Sequence, residues 1–169
     1  LMAANISRPQ GLVLDPHMAI MFWTDWDQNG SQRIESCSMD GDLENRRLVS
    51  KLKGFRPNAL TIDYLARRLY WTDGKSGYVH TSFYDGSDHH EVIRGHPQLS
   101  HPFSLAVFQS HIYWTDRRSS SIVQANKWNG SDVRIIEKTI SQPYGMKVVH
   151  PSMQVQADTK HPCQIDNGK

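Results

Sequence analysis

The 169-residue sequence predicts an all-β fold, a partial β-propeller with three four-stranded antiparallel blades and one extra inner strand. Three short markers recur along the chain in the same order. The segments between them are rich in aromatic and β-branched residues and are bounded by turn residues, which is typical of strands. A four-stranded unit of about 40–45 residues is the size of one propeller blade.

The central marker is an aromatic residue followed by Trp-Thr-Asp. It occurs at residues 22–25, 70–73 and 113–116. A proline opens an apolar segment upstream of each copy and opens a fourth such segment near the end of the chain. These prolines are Pro9, Pro57, Pro102 and Pro143. Because proline cannot donate to a strand ladder, it fits the first residue of each first strand. Residues 142–149 are followed by no further aromatic-Trp-Thr-Asp and are predicted as the extra inner strand.

The remaining strands follow in order within each repeat. The aromatic-Trp-Thr segment is the second strand. The third strand, clearest at residues 33–39 and 121–128, ends near an Asx-Gly pair, which favours a hairpin turn. Residues 45–50 and 133–136 supply the outer strand. The Asp of the marker ends its strand, where its carboxylate can accept turn N–H groups. We interpret it as structural, because active sites are not usually repeated in every blade.

Composition limits the function classes. Hydrophobic residues make up 38% of the chain, which is typical of an ordered globular protein of one domain. The net charge of +2 comes without a basic run, so nucleic acid is not an expected partner. No apolar stretch approaches the roughly 18 residues of a membrane-spanning helix. Three N-x-S sequons, at Asn5, Asn29 and Asn129, are candidate glycosylation sites and favour a secreted location.

The Tyr-Trp-Thr-Asp repeats resemble the YWTD β-propellers of the low-density-lipoprotein-receptor family over nearly the whole chain. Ser-His-Pro-Phe at 100–103 and Ala-Asn-Lys-Trp at 125–128 are most similar to the large receptor-related endocytic receptors. Residues 161–168 resemble the opening of an EGF-like module, with Cys163 as its first cysteine. The resemblance implies YWTD blades over 1–156, then a linker and the start of an EGF-like module over 157–169. Cys37 is interpreted as a free thiol.

Propellers of that family have six blades, so three blades and an inner strand imply the C-terminal half of one propeller. Closure removes exposed sheet edges and faces in this architecture. We therefore expect two apolar blade faces to need the missing half, and a folding chaperone is an expected partner.

The resemblance implies a docking surface. In the family, the propeller assists acid-dependent ligand release by docking the receptor's own acidic, cysteine-rich ligand-binding modules. By motif position, Trp26 and His101 are retained, whereas Arg56 replaces an aromatic residue, Gly77 a histidine and Pro97 a lysine. His96 lies near the lost lysine position. The candidate partner-binding residues are therefore Trp26, Arg56, His96 and His101. Structural interpretations remain open, since His101 can be an ordinary loop histidine and Trp26 can pack between blades.

The predicted function is that of an extracellular ligand-binding or scaffold propeller of an endocytic lipoprotein-receptor-related protein. It would contribute to receptor-mediated endocytosis and acid-dependent ligand release, at the cell surface and in endosomes, as part of a single-pass membrane receptor. Expected partners are protein or lipoprotein ligands and the receptor's cysteine-rich modules. No catalytic residue, cofactor or metal site is predicted, because no nucleophile elbow or zinc-type His spacing is present. The alternatives are a nidogen-like matrix-binding propeller and, less favoured, a propeller hydrolase.

Overall fold

The computed structural model describes residues 6–26, 32–40, 42–52 and 56–153. Within them the chain forms three four-stranded antiparallel sheets, each built from strands that are consecutive in sequence. In chain order the strands are β1 Pro9–Asp15, β2 Ile20–Trp26, β3 Gln32–Ser38, β4 Arg47–Lys51, β5 Pro57–Asp63, β6 Arg68–Asp73, β7 Tyr78–Phe83, β8 His90–Arg94, β9 Pro102–Phe108, β10 His111–Asp116, β11 Ser121–Asn126 and β12 Arg134–Lys138. The described helices are 3-10 turns at Leu43–Asn45 and Pro151–Met153. The all-β, three-bladed prediction is confirmed.

The three marker tryptophans occupy equivalent positions on the second strand of each blade. Trp23 pairs with Leu12 and Glu35, Trp71 with Leu60 and His80, and Trp114 with Leu105 and Val123. All three side chains are buried. The repeat in the sequence is therefore a repeat in the structure.

The marker threonine explains how each first strand begins. The register of the inner strand pair shifts near the opening proline in all three blades. At the shift the threonine hydroxyl accepts an inner-strand N–H, from Gly11 to Thr24, from Ala59 to Thr72 and from Ser104 to Thr115. A side chain thus satisfies a backbone donor that the shifted ladder leaves free.

Two hydrophobic clusters hold the blades face to face. At the first junction, side chains of the first blade pack against those of the second; the cluster comprises Phe22, Ile34, Val49, Leu52, Leu60, Ile62, Leu69 and Trp71. At the second junction, Tyr70, Val79, Val92 and Ile93 pack against Leu99, Leu105, Ile112, Trp114 and other residues of the third blade. Because side chains alternate across a strand, Tyr70 and the neighbouring Trp71 face opposite junctions.

The predicted extra inner strand at residues 142–149 does not form a strand. Residues 142–150 follow the third blade without strand pairing. Side chains hold them instead: Ser104 Oγ accepts from Met146 N at 3.1 Å, and Thr115 Oγ1 donates to Tyr144 O at 2.9 Å. A strand needs a ladder partner, and none of the described strands pairs with this segment. Asn5, Asn29, Cys163 and residues 157–169, where the EGF-like start is predicted, lie outside the described residues.

Candidate functional site

One end of the three blades gathers the predicted docking residues. In a sequential antiparallel sheet, the segment entering the first strand and the turn after the second strand lie at the same end. Trp26 ends β2, Arg56 precedes β5 and His101 precedes β9. Asn58 Nδ2 donates to Pro102 O at 3.1 Å, which places the starts of β5 and β9 side by side. We call this end the cation rim; it comprises Arg8, Trp26, Arg56, Lys75, His101, Arg117 and Arg118.

The marker aspartates build the rim. Asp116 accepts hydrogen bonds from the backbone N–H groups of Ser100 at 2.8 Å and His101 at 2.7 Å before β9, and of Arg118 and Ser119 after β10. Burial alone would raise the pKa of Asp116, but these hydrogen bonds hold it below its usual value. The carboxylate therefore stays charged while it ties together the two segments that carry the rim side chains.

The other two blades repeat this arrangement. Asp25 accepts from the N–H groups of Ser7 and Arg8 and pairs with Arg33 at 2.7 Å. Asp73 accepts from the N–H groups of Arg56 at 2.7 Å and Lys75 at 3.0 Å. The structural interpretation of the marker aspartates is confirmed by these contacts.

Trp26 is the centre of the first rim cluster. Its indole is half-buried, and the guanidinium of Arg8 lies 4.8 Å from the ring centroid while that of Arg56 lies 5.7 Å away. Two predicted residues, Trp26 and Arg56, are thus brought together across the junction of the first and second blades. Arg8 was missed, although its position before Pro9 matches that of Arg56 before Pro57.

His101 belongs to a second rim cluster. It lines a hollow of about 330 Å³ together with Arg117, Arg118 and Gln142. The Arg117 guanidinium lies 5.0 Å from the Tyr144 ring centroid, and its Nη2 donates to Gln142 Oε1 at 3.1 Å. The hollow is cationic, and the consecutive arginines after Trp-Thr-Asp are the sequence signal that would have indicated it.

His96 is used differently from the other predicted residues. It is half-buried, its Nδ1 accepts from Gln98 N at 3.2 Å, and its carbonyl accepts from Leu99 N at 2.8 Å. Gln98 O in turn accepts from Trp114 Nε1 at 2.7 Å. These contacts give His96 a role in shaping the turn before β9.

Charge is unevenly distributed between the two ends of the blades. At the cation rim, Arg8, Arg56, Lys75 and Arg118 are exposed, whereas the three marker aspartates are buried. At the opposite end, which we call the acidic end, exposed carboxylates outnumber the exposed arginines Arg47 and Arg67; the carboxylates are Asp40, Asp42, Glu44, Asp85, Asp88 and Asp132. The rim is therefore suited to a partner rich in carboxylates.

A pair of histidines, the buried His80 and the exposed His89, lies away from the rim clusters and was not predicted. His80 Nδ1 and His89 Nε2 are 3.3 Å apart, and the His80 ring stacks on Trp71 with centroids 5.5 Å apart. Burial, with a further contribution from His89, lowers the pKa of His80 to about 4. Burial also lowers the pKa of His89. Protonation of His80 at low pH would therefore place a positive charge inside the second blade.

Residues 67–109, which span β6 to β9, match the family described as low-density lipoprotein receptor repeat class B. The chain contains a low-density lipoprotein receptor class B repeat. This confirms the resemblance that the Tyr-Trp-Thr-Asp motifs indicated.

Relatives and solved structures are similar to the chain over more than the matched repeat. The chain is 34% identical over 159 residues to a vitellogenin receptor of Solenopsis invicta and 34% identical over 160 residues to the vitellogenin receptor Yl of Drosophila melanogaster. It covers only 8% of the length of each receptor. The nidogen propeller in the nidogen/laminin complex superposes with a TM-score of 0.71 at 23% identity, over 84% of this chain and 52% of that one. That likeness shows the propeller fold.

Two further features of the described residues concern metal binding and membrane spanning. No group of three or more His, Cys, Asp or Glu side chains there is placed to hold a metal ion. No helix among these residues has the length and apolar character needed to cross a membrane.

Proposed function

We propose that this chain is part of an extracellular ligand-binding propeller of an endocytic receptor. Its cation rim docks carboxylate-rich protein surfaces, and acid strengthens the docking. The single observation that carries the proposal is the rim itself, in which exposed cations flank Trp26 and His101 while every marker carboxylate is buried. The class B repeat and the identity to receptors named for vitellogenin support a receptor role with a protein ligand.

The two rim clusters suit a folded acidic partner. Trp26 and its two arginines offer an apolar ring surrounded by positive charge, a combination enriched at the centres of protein interfaces. The hollow of His101, Arg117 and Arg118 offers guanidinium groups, which bind carboxylates with two parallel hydrogen bonds. An acidic, cysteine-rich module of the same receptor has the required charge, and protein or lipoprotein ligands of the receptor would compete with it.

Acid dependence follows from His101. Histidine gains its positive charge between about pH 8 and pH 5. In the complex a carboxylate would favour the charged imidazole, so docking takes up a proton and becomes tighter as pH falls. In an endosome the propeller would then displace ligand from the acidic modules and promote its release.

The role is proposed as non-catalytic, and the receptor as a glycosylated membrane protein of the cell surface and endosomes. A dedicated folding chaperone fits the open blade faces.

A matrix-binding role on the same fold is the second candidate, because the nidogen propeller has the same architecture. The two roles differ in their response to pH, since only the endocytic role requires tighter docking in acid.

A glycan introduced at the rim tests where the partner docks. Arg118→Asn in the full-length protein creates a sequon with Ser119 and Ser120, so secretory expression attaches a bulky glycan beside the hollow. Arg118→Gln removes the same charge without the glycan. We expect the glycosylated variant to lose binding to an acidic cysteine-rich module at pH 5.5 and Arg118→Gln to weaken it only a few-fold. Unchanged binding of the glycosylated variant would overturn the assignment of the rim.

A further inference from the structure

The turn between β11 and β12 presents a sequon in a defined conformation. Gly130 N donates to Asn126 O at 3.0 Å, and Asn126 N donates to Ser131 O at 2.8 Å, which closes the turn. Within it, Asn129 Oδ1 accepts from Ser131 N at 3.0 Å, an Asx turn that folds the third residue of the sequon back onto the asparagine. The Asn129 oxygen is thus occupied by the turn, and its amide nitrogen is not needed to hold it.

The turn is fixed against the neighbouring blade, which leaves Asn129 outside. Gly130 has a φ of +65°, and a Cβ at this position would overlap Val92 O on β8. Asn129 and Ser131 on either side of it are both exposed. The sequon therefore stands at the surface of the folded chain, where an attached sugar meets no packed element.

The other described asparagines do not offer this combination. Asn126 Oδ1 accepts from Trp128 N at 2.9 Å inside the same turn, and Asn58 Nδ2 donates to Pro102 O. Neither has Ser or Thr two residues later, and the same is true of Asn45. Within the described residues, Asn129 alone joins a sequon to an exposed amide.

We propose that Asn129 is an N-glycosylation site, an inference that rests on the extracellular location in the proposed function. The amide Nδ2 would attack C1 of the first sugar of a lipid-linked pyrophosphate oligosaccharide. The N–C1 bond forms, the bond from C1 to the pyrophosphate oxygen breaks, and the amide proton leaves as the lipid pyrophosphate departs. No oxidant or reductant is required.

The position of the site has a consequence for docking. Asn129 lies at the acidic end, since it follows β11, whereas the cation rim lies at the other end of the blades. The glycan would lie next to the indole of Trp128, which is 53% exposed. It would therefore cover an apolar side chain at the acidic end and leave the rim open to a partner.

Peptide mass spectrometry of the full-length protein from a eukaryotic secretory host tests the proposal. Enzymatic removal of N-glycans in heavy-oxygen water should convert Asn129 to a labelled aspartate. Ser131→Ala should abolish the label while keeping Asn129, and Ser131→Thr should preserve it. Ser131 is exposed and its backbone makes the turn contacts, so Ser131→Ala should leave the fold intact.

An unmodified Asn129 in the parent protein would overturn this inference and leave the proposed docking untouched. A glycan at Asn129 in a protein whose rim binds no acidic module would overturn the docking instead. A label in Ser131→Ala that exceeds the label of an enzyme-free digest, which measures spontaneous deamidation of the Asn129-Gly130 pair, would also contradict the proposal.

Discussion

Lys127 of the third blade forms a buried ion pair with Asp63, the last residue of the first strand of the second blade. A corresponding hydrogen bond joins the first and second blades, where Tyr84 Oη donates to Asp15 at 2.8 Å. Burial, together with Asp15, raises the pKa of Tyr84, so it remains a hydrogen-bond donor. The first two blades thus each end their first strand with an aspartate that accepts a hydrogen bond from the residue following the third strand of the next blade.

Lys127→Met should destabilise the propeller strongly. Removing one partner of a buried ion pair leaves an uncompensated charge and costs about 3–5 kcal/mol. The double variant Lys127→Met with Asp63→Asn should recover part of this loss, and Tyr84→Phe should cost only about 1 kcal/mol. Denaturant unfolding of the intact propeller at pH 7 measures all three. Equal stability of Lys127→Met and the parent would show that the pair does not hold the blades together.

Buried His80, which contacts His89, should make the second blade sensitive to acid. The pKa of folded His80 is about 4, against about 6.5 in an unfolded chain, so the unfolded state binds more protons as pH falls below 6.5. Stability is therefore full above that pH and is lost as pH falls toward 4. The expected loss between pH 7 and pH 5 is about 2 kcal/mol. Nearby Glu91 and Asp73 favour the charged form and oppose part of it.

Thermal unfolding of the intact propeller at pH 7 and pH 5 measures this loss. His80→Phe preserves a ring against Trp71 and should flatten the pH dependence. His17→Asn, at an exposed histidine, is the matched control and should retain the parent slope. If His80→Phe and the parent lose the same stability in acid, the pair is not the source.

Gly86→Ala should destabilise the junction of the first and second blades. Gly86 has a φ of +85°, and a Cβ there would overlap Val49 O on β4. Strain and overpacking of this kind cost about 1–3 kcal/mol. Gly74→Ala is the matched control, because the nearest atom to its Cβ would be 3.7 Å away. Denaturant midpoints that are the same for both variants would contradict the described packing of this turn.

Residues 1–169 expressed alone should self-associate. Val13 on β1 packs against the cluster between the first and second blades. Because side chains alternate across a strand, Leu12 and Leu14 point to the other face of the first blade. They are 61% and 41% exposed. On the third blade, Ile136 is 48% exposed. Apolar faces of this kind associate or require a covering partner. Sedimentation should show oligomers, and a monomer that melts cooperatively would contradict the expectation.

The sequence predicted the blades well because each depends on local signals. The marker around Trp71 specifies a buried second strand, and Pro57 specifies where the first strand starts. The rim clusters were predicted only in part, because the contact of Arg8 with Trp26 and the position of Arg117 depend on turns brought together by folding. The pair of His80 and His89 was missed for a related reason. His89 precedes β8 rather than lying within it, so strand alternation does not govern its direction.

In the proposed function, acid strengthens docking at the rim through His101. Titration of an acidic, calcium-loaded cysteine-rich module onto the intact propeller at pH 7.4 and pH 5.5 tests it most directly. The parent should bind about tenfold more tightly at pH 5.5, the effect of about 1.4 kcal/mol from a charge gained at the interface. His101→Ala should bind weakly at both pH values, and His101→Arg should bind tightly at both. Equal affinity of the parent at the two pH values, or a pH dependence unchanged in His101→Arg, would contradict acid-strengthened docking through His101.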